Sequence, residues 1–593
     1  MQHLCRVFVS RFALFAFKGK TMKKMLVAVF SVAVVLYGCG GSTKNADTRS
    51  LRPTLSPPGL TGDALAFSKF TEPVTVRIGM RLNPVAPALP AGDNYASNAV
   101  TRYLLDKFNI NVETDWSAAT GADYDQRVSL AVASNALPDA LVVPSKAPMM
   151  KAAQSGMLYD LTDLFDMYAS SQVKSILDAT NGRGIAQVMV GGKMVALPSV
   201  TVDSDGVIVL NVLKNWLDMY NLPVPRTLDD IENVAKVFRD RKPAGNATIP
   251  IVGPDKNGKL YMNFAESENQ MNGFDPVFAA YDVYPGYFLD NGDGTVAYGS
   301  INPKMKEPLE RLARWYREGL IDPEMGVRDN SAEPVNANIG GIRFAPWWGL
   351  GYGNPDSWKN NPAANWQAYP VYSSDGKWNS KMKAPGSEVL MVGANASADA
   401  AAAAIIIYNA LTLLEEDLLA VNMAIGTSDY YPLRISVAPP DETEHTNRVL
   451  LNVLDGKAEP ADFNDPTSIY KLLYRDTTVI RDVIPRFDPT RELGVLDFNQ
   501  ESQVDFNRAY AVLIGGRPLS QNKIDKEVYS LTYAMTDLLE RRWAGLKSME
   551  DEVMMGIVTG RLDISAFDKF TEDWLRQGGQ EILDDLAARF LHG

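Results

Sequence analysis

A rhythm of strand and helix between residues 74 and 143 most constrains what this chain can fold into. Val74-Thr75-Val76-Arg77-Ile78-Gly79-Met80 alternates in character and is rich in β-branched residues, as a half-buried strand requires. The spacing then predicts a helix from Tyr95 to Phe108 and a second strand over Ile110-Asn111-Val112-Glu113-Thr114-Asp115-Trp116. A helix from Tyr124 to Ala133 and a third strand over Leu137-Pro138-Asp139-Ala140-Leu141-Val142-Val143 follow. Strands joined through a helix pair in parallel, so the expected fold is α/β with mainly parallel sheets flanked by helices. In such sheets ligands sit on loops beyond the carboxyl ends of the strands. Those loops supply Arg81, Asn83, Trp116 and Ser145-Lys146, although each can equally be a solvated loop residue.

Gly191-Gly192-Lys193 joins two short apolar runs and reads as a tight hairpin rather than a phosphate loop. After Pro198–Gly206 and the strand Val207–Asn211 the pattern changes to amphipathic helices at Leu213–Tyr220 and Thr227–Arg239. Thr227 is the expected N-cap, with Asp230 in the first turn. A first hinge is therefore expected near 198–206. Tyr261–Phe288 is aromatic and polar, and reads either as a cleft-lining subregion or as a packed insertion. Pro303–Glu318 is a helix with Pro in its first turn, and Ala396–Leu414 a small-residue helix capped by Asn395 or Ser397. From residue 449 onward the chain is largely helical.

Phe344-Ala345-Pro346-Trp347-Trp348-Gly349-Leu350-Gly351-Tyr352 follows a strand-like approach. Pro346 lacks an N–H and ends the ladder, and the Gly residues allow close backbone approach. Two adjacent indoles in such a turn can stack on the apolar face of a sugar ring; they can equally be core.

The amino-terminal segment reads as an export signal. Met22-Lys23-Lys24-Met25 is a positive n-region, Leu26–Leu36 an apolar run too short for a membrane span, and Leu36-Tyr37-Gly38-Cys39 a bacterial lipobox that predicts lipidation of Cys39. Met22 is the expected start of translation. Residues 1–38 are then a signal peptide and 39–73, rich in Ser, Thr, Asp, Pro and Gly, a flexible tether.

Charge and rare residues exclude several chemistries. The full chain carries −13; removing residues 1–38, with six Lys/Arg and no Asp/Glu, leaves 52 cations against 71 anions, or −19. So acidic a surface argues against nucleic acid or anionic lipid as partner. Of two Cys only Cys39 survives processing, and of three His only His445, in the acidic stretch Asp441–His445 read as a loop, and His592 remain. A Cys/His nucleophile or zinc cluster is not available, although carboxylate catalysis is.

Tyr124-Asp125-Gln126-Arg127-Val128-Ser129-Leu130-Ala131-Val132-Ala133-Ser134 followed by Leu137-Pro138-Asp139 resembles the first lobe of family 1 extracellular solute-binding lipoproteins, the substrate receptors of ABC-type oligosaccharide importers. Gly191-Gly192-Lys193, Trp216-Leu217-Asp218, Tyr298-Gly299-Ser300, Gly319-Leu320-Ile321-Asp322-Pro323-Glu324, Ala345-Pro346-Trp347-Trp348-Gly349 and Phe567-Asp568-Lys569-Phe570 with Trp574 and Gly578-Gly579 continue it. Each motif is short; their order carries the resemblance from about 74 to 590.

The resemblance implies a two-lobed, type II periplasmic-binding-protein-like fold with an interlobe cleft and a helical C-terminal region. Lobe one is expected at 74–200 plus 384–430 and lobe two at 207–370 plus 435–593, with crossovers near 198–206, 371–384 and 426–434. It implies no catalysis and no cofactor, and the residues of this chain itself lead to the expectation of no metal. The partners it implies are a carbohydrate, ABC permease subunits and the membrane through a lipid anchor alone, for a monomer on the outer face of the cytoplasmic membrane. The expected ligand-binding set is Arg81, Asn83, Trp116, Lys146, Asp205, Trp347, Trp348, Tyr352, Glu388 and Tyr430.

One departure concerns calcium. Many relatives carry an acidic, Asp/Asn/Gly-rich calcium loop after the helix that here ends near Arg239, where this chain has Arg241-Lys242-Pro243-Ala244-Gly245-Asn246, without a carboxylate. Asp255-Lys256-Asn257-Gly258 and Asp290-Asn291-Gly292-Asp293-Gly294 read as hairpin turns instead. The competing classes are an exported lipoprotein glycoside hydrolase or polysaccharide lyase, whose hydrolase form needs paired carboxylates, and a surface adhesin.

Overall fold

Taken in chain order, the strands of the computed structural model are β1 (Val74–Leu82), β2 (Ile110–Ala119), β3 (Ala140–Val143), the hairpin β4 (Met189–Val190) and β5 (Lys193–Met194), and β6 (Ala196–Pro198). Next come β7 (Ile208–Leu213), β8 (Ile249–Ile251), β9 (Phe288–Asp290), β10 (Val296–Tyr298), β11 (Gly340–Pro346), β12 (Trp366–Tyr369) and β13 (Asn379–Lys381). β14 (Val389–Val392) and β15 (Lys526–Val528) complete the set. The structure describes residues 53–591 apart from 84–88, Ser145, Asn257, 266–270, Ser387, 414–429 and 466–467. The signal, lipobox and Cys39 readings, His592, and residues 426–429 of the third expected crossover lie outside the described residues.

Two sheets organise two separate hydrophobic cores. The first has the order β2-β1-β3-β14-β6, with β1 parallel to both β2 and β3, and β14 antiparallel to β3 and β6. Val74, Val76 and Ile78 point inward while Thr75 and Arg77 face water, so the alternation in the sequence is the alternation of burial. The second sheet runs β12-β7-β11-β8; β7 is antiparallel to β11 and β12, and β8 parallel to β11. β7 and β11 are buried along their whole length, as strands covered on both faces are. The helices Asp537–Val558, Ala566–Trp574 and Gln580–Phe590 contribute Trp543, Phe570, Trp574 and Leu586 to this second core. The protein is thus a two-lobed α/β fold of the type II class.

Local chemistry sets the ends of the elements. The first long helix starts at Ala99, later than Tyr95, because the Asn98 side chain accepts from the N–H groups of Val100 and Thr101. β3 starts at Ala140, since Asp139 is occupied by the Arg77 N–H and guanidinium at 2.9 to 3.2 Å. Thr227 and Asp230 form a capping box on the helix Leu228–Arg241. Ser397 caps the helix Ala398–Leu413 through the Ala400 N–H at 3.0 Å. Its run Ala400–Ala404 is buried in the first core, which is close packing of small residues.

Two readings are corrected. His445 is not in a loop: it lies in the first turn of the helix Glu442–Leu454, stacked on Tyr470 with ring centroids 3.8 Å apart. The acidic residues before it are helix-starting residues, favoured where the helix dipole is positive. The turn at Asp255 is not a hairpin: no described strand pair flanks it, and the Asp255 carboxylate closes it by accepting from the N–H groups of Gly258 and Ser331. Asp290–Gly294 does join the paired strands β9 and β10.

The chain passes from the first sheet to the second between β6 and β7, returns before β14, and leaves again after Val437, which packs in the first core. These passages are bonded side by side. Ser199 N–H donates to the Glu388 carbonyl at 3.0 Å and Thr201 N–H to the Pro385 carbonyl at 2.8 Å. On the other side Val200 N–H donates to Ser436 and Asp203 N–H to Pro440, at 2.9 and 2.8 Å.

Candidate ligand site

The carboxyl ends of β1, β2 and β3 surround a cavity of about 200 Å3. Gly79, Met80, Arg81 and Asn83 line it from the end of β1, Thr120 from just past β2, Tyr124 from the following helix and Val142 from β3. Tyr431, Leu433 and Arg434 close it from the segment that precedes the last passage into the second lobe. This is where parallel strands leave their backbone and side-chain groups free to meet a ligand.

Arg81 forms an ion pair with Glu388 at 2.6 Å, both partly exposed. Asn83 is held by Tyr95: its N–H donates to the phenol oxygen and the phenol donates to its carbonyl, each at 3.0 Å. The Tyr95 ring packs on Tyr430 at 4.6 Å between centroids. The structure therefore brings Arg81, Asn83, Glu388 and Tyr430 to one end of the first lobe. Lys146 opens the helix Lys146–Gln154 directly beyond β3; it is half-buried, and burial pushes its amine down to about 8.

Trp116 lies beneath the cavity and does not line it. β1 and β2 shift register at Ile78/Gly79, and the Trp116 ring covers Gly79 so closely that an added Cβ would stand 2.5 Å from it. The ring also packs on Tyr124 at 5.5 Å, with the Arg127 guanidinium 5.2 Å away. The Tyr124 hydroxyl donates to the Val142 carbonyl at 2.7 Å, and burial raises its phenol well above the usual range.

The remaining predicted residues form a second group on the other lobe. Trp347 is 6% exposed and packs in the second core, and its indole N–H donates to Asp205 at 2.9 Å. Trp348 is only partly buried against that core, and Tyr352 is half exposed. Beneath the turn Arg343 is fully buried, bonded to Asn211 at 3.2 Å and to the Gly349 carbonyl at 2.6 Å. Burial pushes its guanidinium down to about 9. Arg183 of the first lobe pairs with Asp203 at 2.9 Å and stands 5.0 Å from the ring of Tyr529, which packs against the second core.

Sequence reasoning missed Thr120, Tyr124, Tyr431, Leu433 and Arg434 as wall residues. Tyr430-Tyr431-Pro432 was a visible signal, but Leu433 adopts a left-handed backbone (φ 55°) that no residue type there announces. Among the described residues no group of three or more His, Cys, Asp or Glu is placed to hold a metal ion, and no helix is long and apolar enough to cross a membrane.

Known proteins share this fold. The chain is 25% identical over 326 residues to the fructooligosaccharide ABC transporter substrate-binding protein FusA of Streptococcus pneumoniae, covering 53% of this chain and 55% of FusA. It is 28% identical over 226 residues to the polygalacturonan/rhamnogalacturonan-binding protein YtcQ of Bacillus subtilis, covering 38% of this chain and 41% of YtcQ. The chain thus spans about half the length of the curated relatives it matches. Among solved structures, the alginate-binding protein AlgQ2 without calcium ion superposes with a TM-score of 0.53 at 16% identity, over 88% of this chain and 99% of that one. No family model matches the chain. The fold is thus that of two-lobed solute-binding proteins, and the curated relatives the chain resembles are saccharide-binding proteins, one of them a component of an ABC transporter.

Proposed function

We propose that this chain captures an oligosaccharide between its lobes and delivers it to the permease of an ABC importer. The observation that carries the reading is the polar cavity at the carboxyl ends of the first-lobe strands, in a chain whose first passage between lobes is bonded to both of the others. Bundled passages of this kind suit hinge closure around a ligand. The names of FusA and YtcQ, a transporter-linked saccharide receptor and a polysaccharide-binding protein, support it. In this reading Arg81, Asn83, Lys146, Glu388 and Tyr430 contact ligand from lobe one and Trp348 and Tyr352 from lobe two, while Trp116, Asp205 and Trp347 support them. The protein acts as a monomer, tethered by lipidated Cys39 to the outer face of the cytoplasmic membrane.

Calorimetry of the full chain against an oligosaccharide library, with chromatography of the recovered sugar, tests the reading. Saturable binding with the sugar returned intact is expected; time-dependent cleavage abolished by a single Asp or Glu substitution would establish the hydrolase instead.

A further inference from the structure

Among the described residues, the wall of the lobe-one cavity carries charge of one sign: Arg81 and Arg434 line it, and none of its ten described lining residues is Asp or Glu, in a chain whose net charge is −13. Glu388 offsets Arg81 at 2.6 Å. Arg434 is exposed and has no ion pair or hydrogen bond among the described residues. Lys146, beyond the strand that supplies Val142 to the wall, is half-buried and likewise has no partner among them.

A partly desolvated ammonium without an anion is unfavourable, and Lys146 has no anion among the described residues. At an amine value of about 8, Lys146 is still mostly protonated at neutral pH. Arg434 on the wall, and Lys146 at the start of the helix just past β3, are cationic donors suited to a negatively charged ligand, while Asn83, Thr120 and Tyr431 suit hydroxyls.

We propose that this cavity takes the carboxylate of an acidic sugar residue, a uronate, with Arg434 and Lys146 as its charge partners. The assignment rests on the carbohydrate reading above and narrows it to acidic saccharides. Arg434 matches a carboxylate in a two-pronged fork and Lys146 as a point charge. Because the rest of the molecule is acidic, the discrimination is local to this wall.

The test is calorimetry of the full chain against uronide trisaccharides (galacturonides, mannuronides and glucuronides), each paired with its carboxyl-reduced neutral twin. At least one uronide is expected to bind tenfold or more tightly than its twin, with affinity falling as salt rises. Arg434→Gln and Lys146→Met are each expected to weaken uronide binding about tenfold and to leave any binding of the twin within threefold. Arg434 is exposed, so its variant folds, and the Lys146 variant is an independent second arm. Neutral sugars binding as well as their acidic twins, or unchanged uronide affinity in both variants, overturns the assignment and leaves the carbohydrate reading standing. A library from which nothing binds overturns both.

Discussion

The indole N–H of Trp347 donates to the carboxylate of Asp205 at 2.9 Å, which ties the aromatic turn of the second lobe to the first passage between lobes. Asp205 also lies 3.7 Å from Lys383, whose ammonium bonds the Thr201 hydroxyl and whose side chain is 2% exposed. One carboxylate thus serves an almost buried indole and an almost buried cation from two different parts of the chain.

Removing that carboxylate is expected to cost stability. Asp205→Ala leaves the indole N–H without this acceptor and weakens the compensation of Lys383, at about 2–4 kcal/mol. Asp205→Asn keeps an acceptor for the indole and is expected to cost about half as much. Urea unfolding at pH 7 measures both; losses under about 0.5 kcal/mol in each would show that the contact holds nothing together.

Backbone contact between passages makes a second prediction. A Cβ on Gly386 would stand 2.2 Å from the Ser199 carbonyl oxygen, so Gly386→Ala must push the first two passages apart. A loss of about 1–3 kcal/mol is expected, with weaker ligand binding if the lobes close through these segments as proposed. Gly545, an exposed position in the helix Asp537–Val558 with open space around it, is the control. There Ala is expected to stabilise by about 0.5–1 kcal/mol. Thermal melts of the two variants should therefore move in opposite directions.

The parts of this fold that were legible in the sequence are those in which neighbours in the chain are neighbours in space. The β1, β2 and β3 unit and its helices could be read because burial alternates with a local period, and Arg81 and Asn83 could be found because they follow a strand. What a window of sequence does not contain is the return of distant segments. β14 inserts beside β3, β15 pairs with β13 across 147 residues, and Tyr430–Val437 folds back onto the first core. Arg434 reaches the cavity wall only through that return. Nor does residue type separate Trp347 from Trp348: both follow Pro346, and only packing against Asp205 and Gly515 buries the first.

Glu444 predicts a pH dependence. Burial, then Asp441 and Asp203, push its carboxyl up from 4.5 to about 7, against Arg448, and its buried Oε2 has no hydrogen-bond partner among the described residues. The folded protein therefore holds this proton more tightly than the unfolded chain. Its contribution to stability is fully present below 4.5 and is lost as pH rises through about 7. His445, pushed below 6.5 by burial, acts in the opposite sense: its contribution is present above 6.5 and lost as pH falls through the folded value. Glu444→Gln removes the first effect and keeps the second. Relative to wild type, the variant is expected to gain on the order of 1–3 kcal/mol between about pH 5 and pH 8. Parallel curves in urea unfolding across that range would sink the prediction.

Trp347 and Trp348 are expected to fail in different ways. Trp347 is 6% exposed, gives its N–H to Asp205, and its carbonyl lies so near Gly515 that a Cβ there would stand 2.0 Å away. Trp347→Ala therefore opens a cavity in the second core, at about 3–5 kcal/mol. Trp348 keeps part of its ring open beside the half-exposed Tyr352, so its truncation removes less packing and should cost under about 1.5 kcal/mol. Stacking on a sugar face adds about 0.5–1.5 kcal/mol beyond area, so Trp348→Ala should weaken saccharide binding about tenfold while the melting temperature moves little. The double measurement, melting and affinity on each variant, separates the roles. If Trp348→Ala binds like wild type while Trp347→Ala, folded at low temperature, has lost binding, the ligand-facing ring is the other one.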